Sequence, residues 1–247
     1  MAVSQIHTRS ISLPSRLHPI NSTQFEAQLD KLKSTVSLTS VDTIISGLVG
    51  LADLYNSITM DTQTPSSLEE ALERSVKLLD CCSSIKEVAQ MTRESVRALQ
   101  SALRRKGSDD SSLRNDVTSY VASRKRMSKC AKKSLKALKS WEGGASDVYG
   151  LTAAVFRSAL LFFSSSSSSS SWNRVARLVL SKSEAVIVNE VGCVDLALSS
   201  GEFDKKMAQR SLQKLESCVD GIEEGLERMF RELVRSRVDL LNILTNH

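Results

Sequence analysis

The stretch Leu212–Ile243, LQKLESCVDGIEEGLERMFRELVRSRVDLLNI, decides the fold. Leu212, Leu215, Val219, Ile222, Leu226, Met229, Leu233, Ser236, Leu240 and Ile243 step by threes and fours without a slip. Only Ser236 among them is polar. A mean spacing of about 3.5 residues nearly matches the helical repeat, so one stripe keeps facing a partner helix for about nine turns. The stretch therefore predicts a long helix built to pack on another helix. Gly221 and Gly225 form G-x-x-x-G, but Glu223 and Glu224 lie between them. That setting argues against a membrane dimer and for a close helix approach.

The rest of the chain suits the same architecture. Its 247 residues are 41% apolar and 25% charged, as in ordinary folded proteins. Aromatics are only 4%, so Leu, Val, Ile and Ala must fill the core. No proline follows Pro65, and proline costs a helix interior about 3 kcal/mol. Pro65-Ser66-Ser67-Leu68-Glu69-Glu70 carries overlapping capping boxes and predicts a helix of about forty residues ending at Gly107. Its length matches the seam helix, which makes it the expected intramolecular partner. Further helices are expected over 23–36, 41–59, 113–141, 147–163 and 172–198. Residues 1–22 hold no acid and several serines and basic residues, and read as a flexible basic tail, with an organelle signal as the alternative. Ser164–Ser171 is a homopolymeric run with no apolar face and reads as a disordered loop. The expected fold is all-α: one elongated antiparallel bundle of long helices over 23–247, with a flexible N-terminal tail.

Several chemistries are disfavoured. The three histidines, His7, His18 and His247, all lie near the ends. Histidine-activated nucleophiles and histidine metal ligation are thus not expected in the folded region. The five cysteines include no C-x-x-C pair and read as reduced thiols. No catalytic residue, metal ligand or cofactor site is assigned. Val148–Phe163 is apolar but spans too few residues and contains Arg157, so a core helix is expected rather than a membrane span.

One constellation stands out. Between Val117 and Trp141 lie Arg124, Lys125, Arg126, Lys129, Lys132, Lys133, Lys136 and Lys139, and no acid. Without these eight, the formal charge of +5 becomes −3. Lys125, Lys129, Lys132, Lys136 and Lys139 step by four, three, four and three, which sets them on one helix face. Such a face can meet an acidic protein or the phosphates of an anionic membrane. It can also simply be solvated, pairing with Glu223, Glu224 and Glu227. Nucleic acid is the weaker partner, because stacking wants aromatics and only Tyr120 and Trp141 are near. The seam helix could also dimerise. A cytoplasmic location, with or without membrane association, is expected.

Some segments are familiar. They are Arg9-Ser10 with Ser12-Leu13-Pro14-Ser15-Arg16 and His18-Pro19; Leu78-Leu79-Asp80; Leu103-Arg104-Arg105; and Tyr120-Val121-Ala122-Ser123-Arg124-Lys125. With them go Leu215-Glu216, Glu223-Glu224-Gly225-Leu226-Glu227-Arg228, Arg237-Val238 and Leu240-Leu241-Asn242-Ile243-Leu244. Together they resemble the plant BYPASS-like family, a plant-specific domain of unknown function. The resemblance implies a role in root and shoot development; the charge concentration adds the expectation that a non-enzymatic protein of this kind works by binding an unidentified protein partner. The resemblance supplies no catalytic residue, cofactor or substrate.

Overall fold

The computed structural model describes residues 27, 29–30, 40–57, 65–105, 111–139, 148–164, 189–199 and 204–245. Among them are six helices and no strand: α1 Val41–Ser57, α2 Pro65–Arg105, α3 Ser111–Lys139, α4 Val148–Ser164, α5 Glu190–Ser199 and α6 Lys205–Thr245. The expected tail at 1–22, almost all of the helix at 23–36, and residues 165–188 lie outside the described residues. Ser164 corrects one expected boundary: it is the last residue of α4 rather than the first of a loop.

Local chemistry starts the helices where it should. Ser40 accepts the Thr43 N–H at 3.2 Å, and Asp204 accepts those of Lys206 and Met207 at 2.8 and 3.2 Å. These are N-cap bonds to donors with no partner inside the helix. Asn189 caps α5 through the Gly192 N–H at 2.9 Å. Its amide also donates to the Phe162 carbonyl at 2.9 Å. One side chain therefore ties the start of α5 to the end of α4.

The two 41-residue helices, α2 and α6, form the long axis. Each is about 61 Å long at 1.5 Å per residue. Their paired residues run in opposite order: Arg97 meets Glu216, Lys86 meets Glu227, and Arg237 meets Leu72 and Ser75. The helices are therefore antiparallel. The seam of α6 is spent inside the chain. Leu212, Leu215, Val219, Ile222, Leu226 and Met229 are fully buried, Leu233, Ser236 and Leu240 nearly so, and Ile243 partly. A coiled coil of two copies through this seam would have to displace α2.

α1 is the departure from strict antiparallel order. Ile45 lies against Gly221, Leu48 against Gly225, and Asp53 pairs with Arg228. Both numbers rise together, so α1 runs parallel to α6. The G-x-x-x-G pair is what admits it. A Cβ on Gly225 would lie 3.0 Å from the Leu48 Cβ, and one on Gly221 would lie 2.7 Å from the Ile45 Cδ1. α4 crosses to α1 through Tyr55 and Thr152, whose hydroxyls are 3.3 Å apart. Phe156, Leu160 and Phe163 of α4 fill the centre of the core with Leu48 and Leu51 of α1. α3 closes the bundle against α2 and α4.

A charged ladder borders the α2–α6 contact. Arg97 Nε donates to Glu216 at 2.6 Å, and Gln100 donates to the same carboxylate at 3.0 Å. Arg93 pairs with Glu223, and Lys86 with Glu227. The hydrogen bond from Arg97 holds the Glu216 carboxyl below its ordinary 4.5. The bond from Lys86 does the same for Glu227. Both groups thus stabilise the fold above about pH 4.5 and stop doing so as pH falls through their lower folded values. Desolvation moves Glu223 the other way, so its protonation opposes the loss. Glu216→Gln should lower the melting temperature by about 2–4 °C at pH 7, since a half-exposed ion pair contributes about 1 kcal/mol. The difference should shrink as pH falls below 4.5 and the wild-type carboxyl takes up its proton. Thermal melts from pH 7 downward would read the difference, and a gap that does not shrink with falling pH would exclude the ionic origin.

Candidate functional site

α3 is amphipathic in an unusual sense, because its outer face is almost purely cationic. Leu113, Tyr120, Met127, Ala131 and Leu138 are buried. At about 100° per residue they share one direction. Lys125, Arg126, Lys129, Lys132, Lys133, Lys136 and Lys139 are all exposed and project from the opposite side. Among the described residues, none of the seven forms an ion pair or a hydrogen bond with a carboxylate. The expected solvated-face pairing does not form. Glu223 and Glu227 face α2, where they meet Arg93 and Lys86, and Glu224 lies beside that same groove.

Arg124 is a correction to the expected basic face. It is only 4% exposed and points inward. Its Nη1 donates to the Phe163 carbonyl at 3.1 Å, and its Nε lies 3.5 Å from Asp195 Oδ1. The guanidinium therefore joins three helices, α3, α4 and α5, and sits at the negative end of the α4 dipole. Ser128 adds a bond to the Ser164 carbonyl at 3.1 Å. Together with Asn189 these side chains satisfy the last carbonyls of α4. Tyr120 is buried beside this group, and desolvation raises its phenol well above the ordinary value. The helical period does carry a signal for Arg124: it lies three, seven and fourteen residues before Met127, Ala131 and Leu138, all core positions.

The remaining reactive groups are quiet. Burial pushes the Cys81 and Cys82 thiols up to about 12 and the Cys218 thiol to about 11, far from nucleophilic thiolates. Cys130 and Cys193 are exposed and form no disulfide. Among the described residues no cluster of His, Cys, Asp and Glu could hold a metal ion. The groove between α2 and α3, about 270 Å³, is lined by Glu94, Asp116, Ser119, Tyr120 and Arg126. No described helix is long and apolar enough to cross a membrane.

Fold and surface together define a helical bundle whose distinctive feature is a convex cationic ridge. The chain belongs to the BPS1 family: the family model described as "Protein BPS1" matches residues 47–243, from within α1 nearly to the end of α6. That family is the BYPASS-like group whose segments the sequence carries, and its members are plant developmental regulators. No curated protein and no solved structure matches the chain significantly.

Proposed function

We propose that this protein is a non-catalytic helical interaction protein in plant root and shoot development, working in the cytoplasm, and that the ridge Lys125–Lys139 is its contact surface for an anionic partner. The observation that carries the reading is the set of seven exposed cations, none paired among the described residues, on the side of α3 opposite the core. Concentrating like charge on one helix costs self-repulsion, and a partner of opposite sign relieves it. The apolar seam of α6, by contrast, is already covered and offers no surface.

The test is rescue in plants lacking the gene. A variant with Lys129, Lys132, Lys133 and Lys136 each changed to Gln keeps the core intact, since all four side chains are exposed. It should melt within about 2 °C of wild type, because surface changes usually cost under about 0.5 kcal/mol. It should fail to restore root and shoot growth. Full rescue by this variant, at equal protein level, would remove the ridge from the function.

A further inference from the structure

The interaction reading leaves the chemistry of the partner open, and the geometry of α3 bears on it. We infer that the ridge docks flat on an anionic phospholipid bilayer surface. The inference rests on the ridge being the contact surface.

Shape comes first. The seven cations spread over about 21 Å along the helix and an arc of about 140° around it. The ridge is convex, and of its seven cations only Arg126, at one edge, borders the groove against α2. An ammonium head about 8 Å from the helix axis changes height by only about 5 Å across that arc, less than the screening length of about 8 Å in physiological salt. All seven charges therefore act at once on a plane. On a curved acidic protein, those at the arc's edges would be lost.

Residue type points the same way. Six of the seven are lysines. Lysine is a flexible point charge suited to diffuse attraction, whereas bidentate recognition of one fixed carboxylate or phosphate favours arginine. The exposed neighbours Thr118, Ala122, Cys130 and Ala137 are short, so the ammonium heads are the outermost atoms of this surface. The single carboxylate of α3, Asp116, lies more than two turns before Lys125 and lines the groove facing α2. No aromatic ring is exposed on α3: Tyr120 is 2% exposed, so unpaired bases would find nothing to stack on. Nor does the ridge carry a large apolar side chain to insert into a bilayer, apart from Val121 at its start, 38% exposed. The attachment is therefore electrostatic, reversible and salt-sensitive, with each basic residue contributing roughly fivefold in affinity.

Flotation of the full chain with vesicles tests this. Wild type should float with phosphatidylcholine vesicles containing 30% phosphatidylserine, stay behind with pure phosphatidylcholine, and be released at high salt. The four-glutamine variant should bind at least tenfold more weakly. A variant with the same four lysines changed to Arg should bind like wild type. Wild type that ignores the anionic vesicles, or a four-glutamine variant that floats equally well, would overturn the inference. If wild type ignores vesicles while the same glutamine variant fails in the plant, the docking surface stands and its partner is an acidic protein. A second measurement fixes orientation. With Cys193→Ser, a polarity-sensitive maleimide dye on Cys130, at the ridge edge, should shift to the blue on anionic vesicles. With Cys130→Ser, the dye on Cys193 of α5 should not respond. Equal responses at both positions would reject docking through α3.

Discussion

Arg124→Ala should destabilise the fold by about 3–5 kcal/mol, while Arg126→Ala, two residues on, should change it by under about 0.5 kcal/mol. The two arginines share a helix and a charge but not an environment. Arg126 is exposed on the ridge. Arg124 is 4% exposed and pairs with Asp195, itself 14% exposed. Its removal leaves a nearly buried carboxylate without its cation and frees the Phe163 carbonyl. Removing one member of a buried pair strands the other, which is why the cost exceeds that of the pair itself. Arg124→Met combined with Asp195→Leu should recover most of the loss, since apolar replacements of both members are often neutral. Urea unfolding midpoints would measure all four proteins. Equal midpoints for Arg124→Ala and Arg126→Ala would mean that the inward arginine is not structural.

Gly225→Leu should cost about 3 kcal/mol or more, because overpacking a closed contact forces backbone to move. The nearer approach is at Gly221, yet the expected order of effects is the reverse. A methyl on Gly221 meets the Ile45 Cδ1 at 2.7 Å, the free end of a half-buried chain that can rotate away. Gly221→Ala also gains up to about 1 kcal/mol of helix propensity, so it should be close to neutral. A side chain on Gly225 meets the Leu48 Cβ at 3.0 Å, which moves only if α1 moves. Leu48→Ala alone should cost about 2–5 kcal/mol as a core truncation. The double variant Gly225→Leu with Leu48→Ala keeps the Cβ contact but removes the Leu48 Cδ1, which lies 3.1 Å from the added Cβ, and should be at least 1 kcal/mol more stable than the sum of the two single costs. Strict additivity would contradict the packing of α1 on α6.

Much of this architecture is legible from local pattern. The 3-4 seam of α6 is a property of consecutive residues, and so are Pro65 with its capping boxes and the apolar run of α4. The cationic ridge is legible for the same reason, since residue spacing alone sets which side chains share a helix face. What local pattern cannot carry is pairing across the chain. Arg124 reads as one more cation until Asp195, 71 residues later, folds onto it. Glu223 and Glu227 could have met the lysines of α3, but the register of α6 against α2 delivers them to Arg93 and Lys86. The parallel course of α1 along α6 likewise depends on Gly221 and Gly225, whose missing side chains announce proximity without naming the neighbour.

The double role of Asn189, with Arg124 and Ser128 beside it, has an evolutionary consequence. The polypeptide leaves α4 and re-enters at α5 through one stapled gate. The posts hold α4 and α5 together directly, and doubling the length of a flexible connection costs only about 0.6 kcal/mol of closure entropy. A lengthened serine tract there should therefore leave the melting temperature of the bundle nearly unchanged and meet little selection on folding, and a reporter domain spliced into the same gap should do the same.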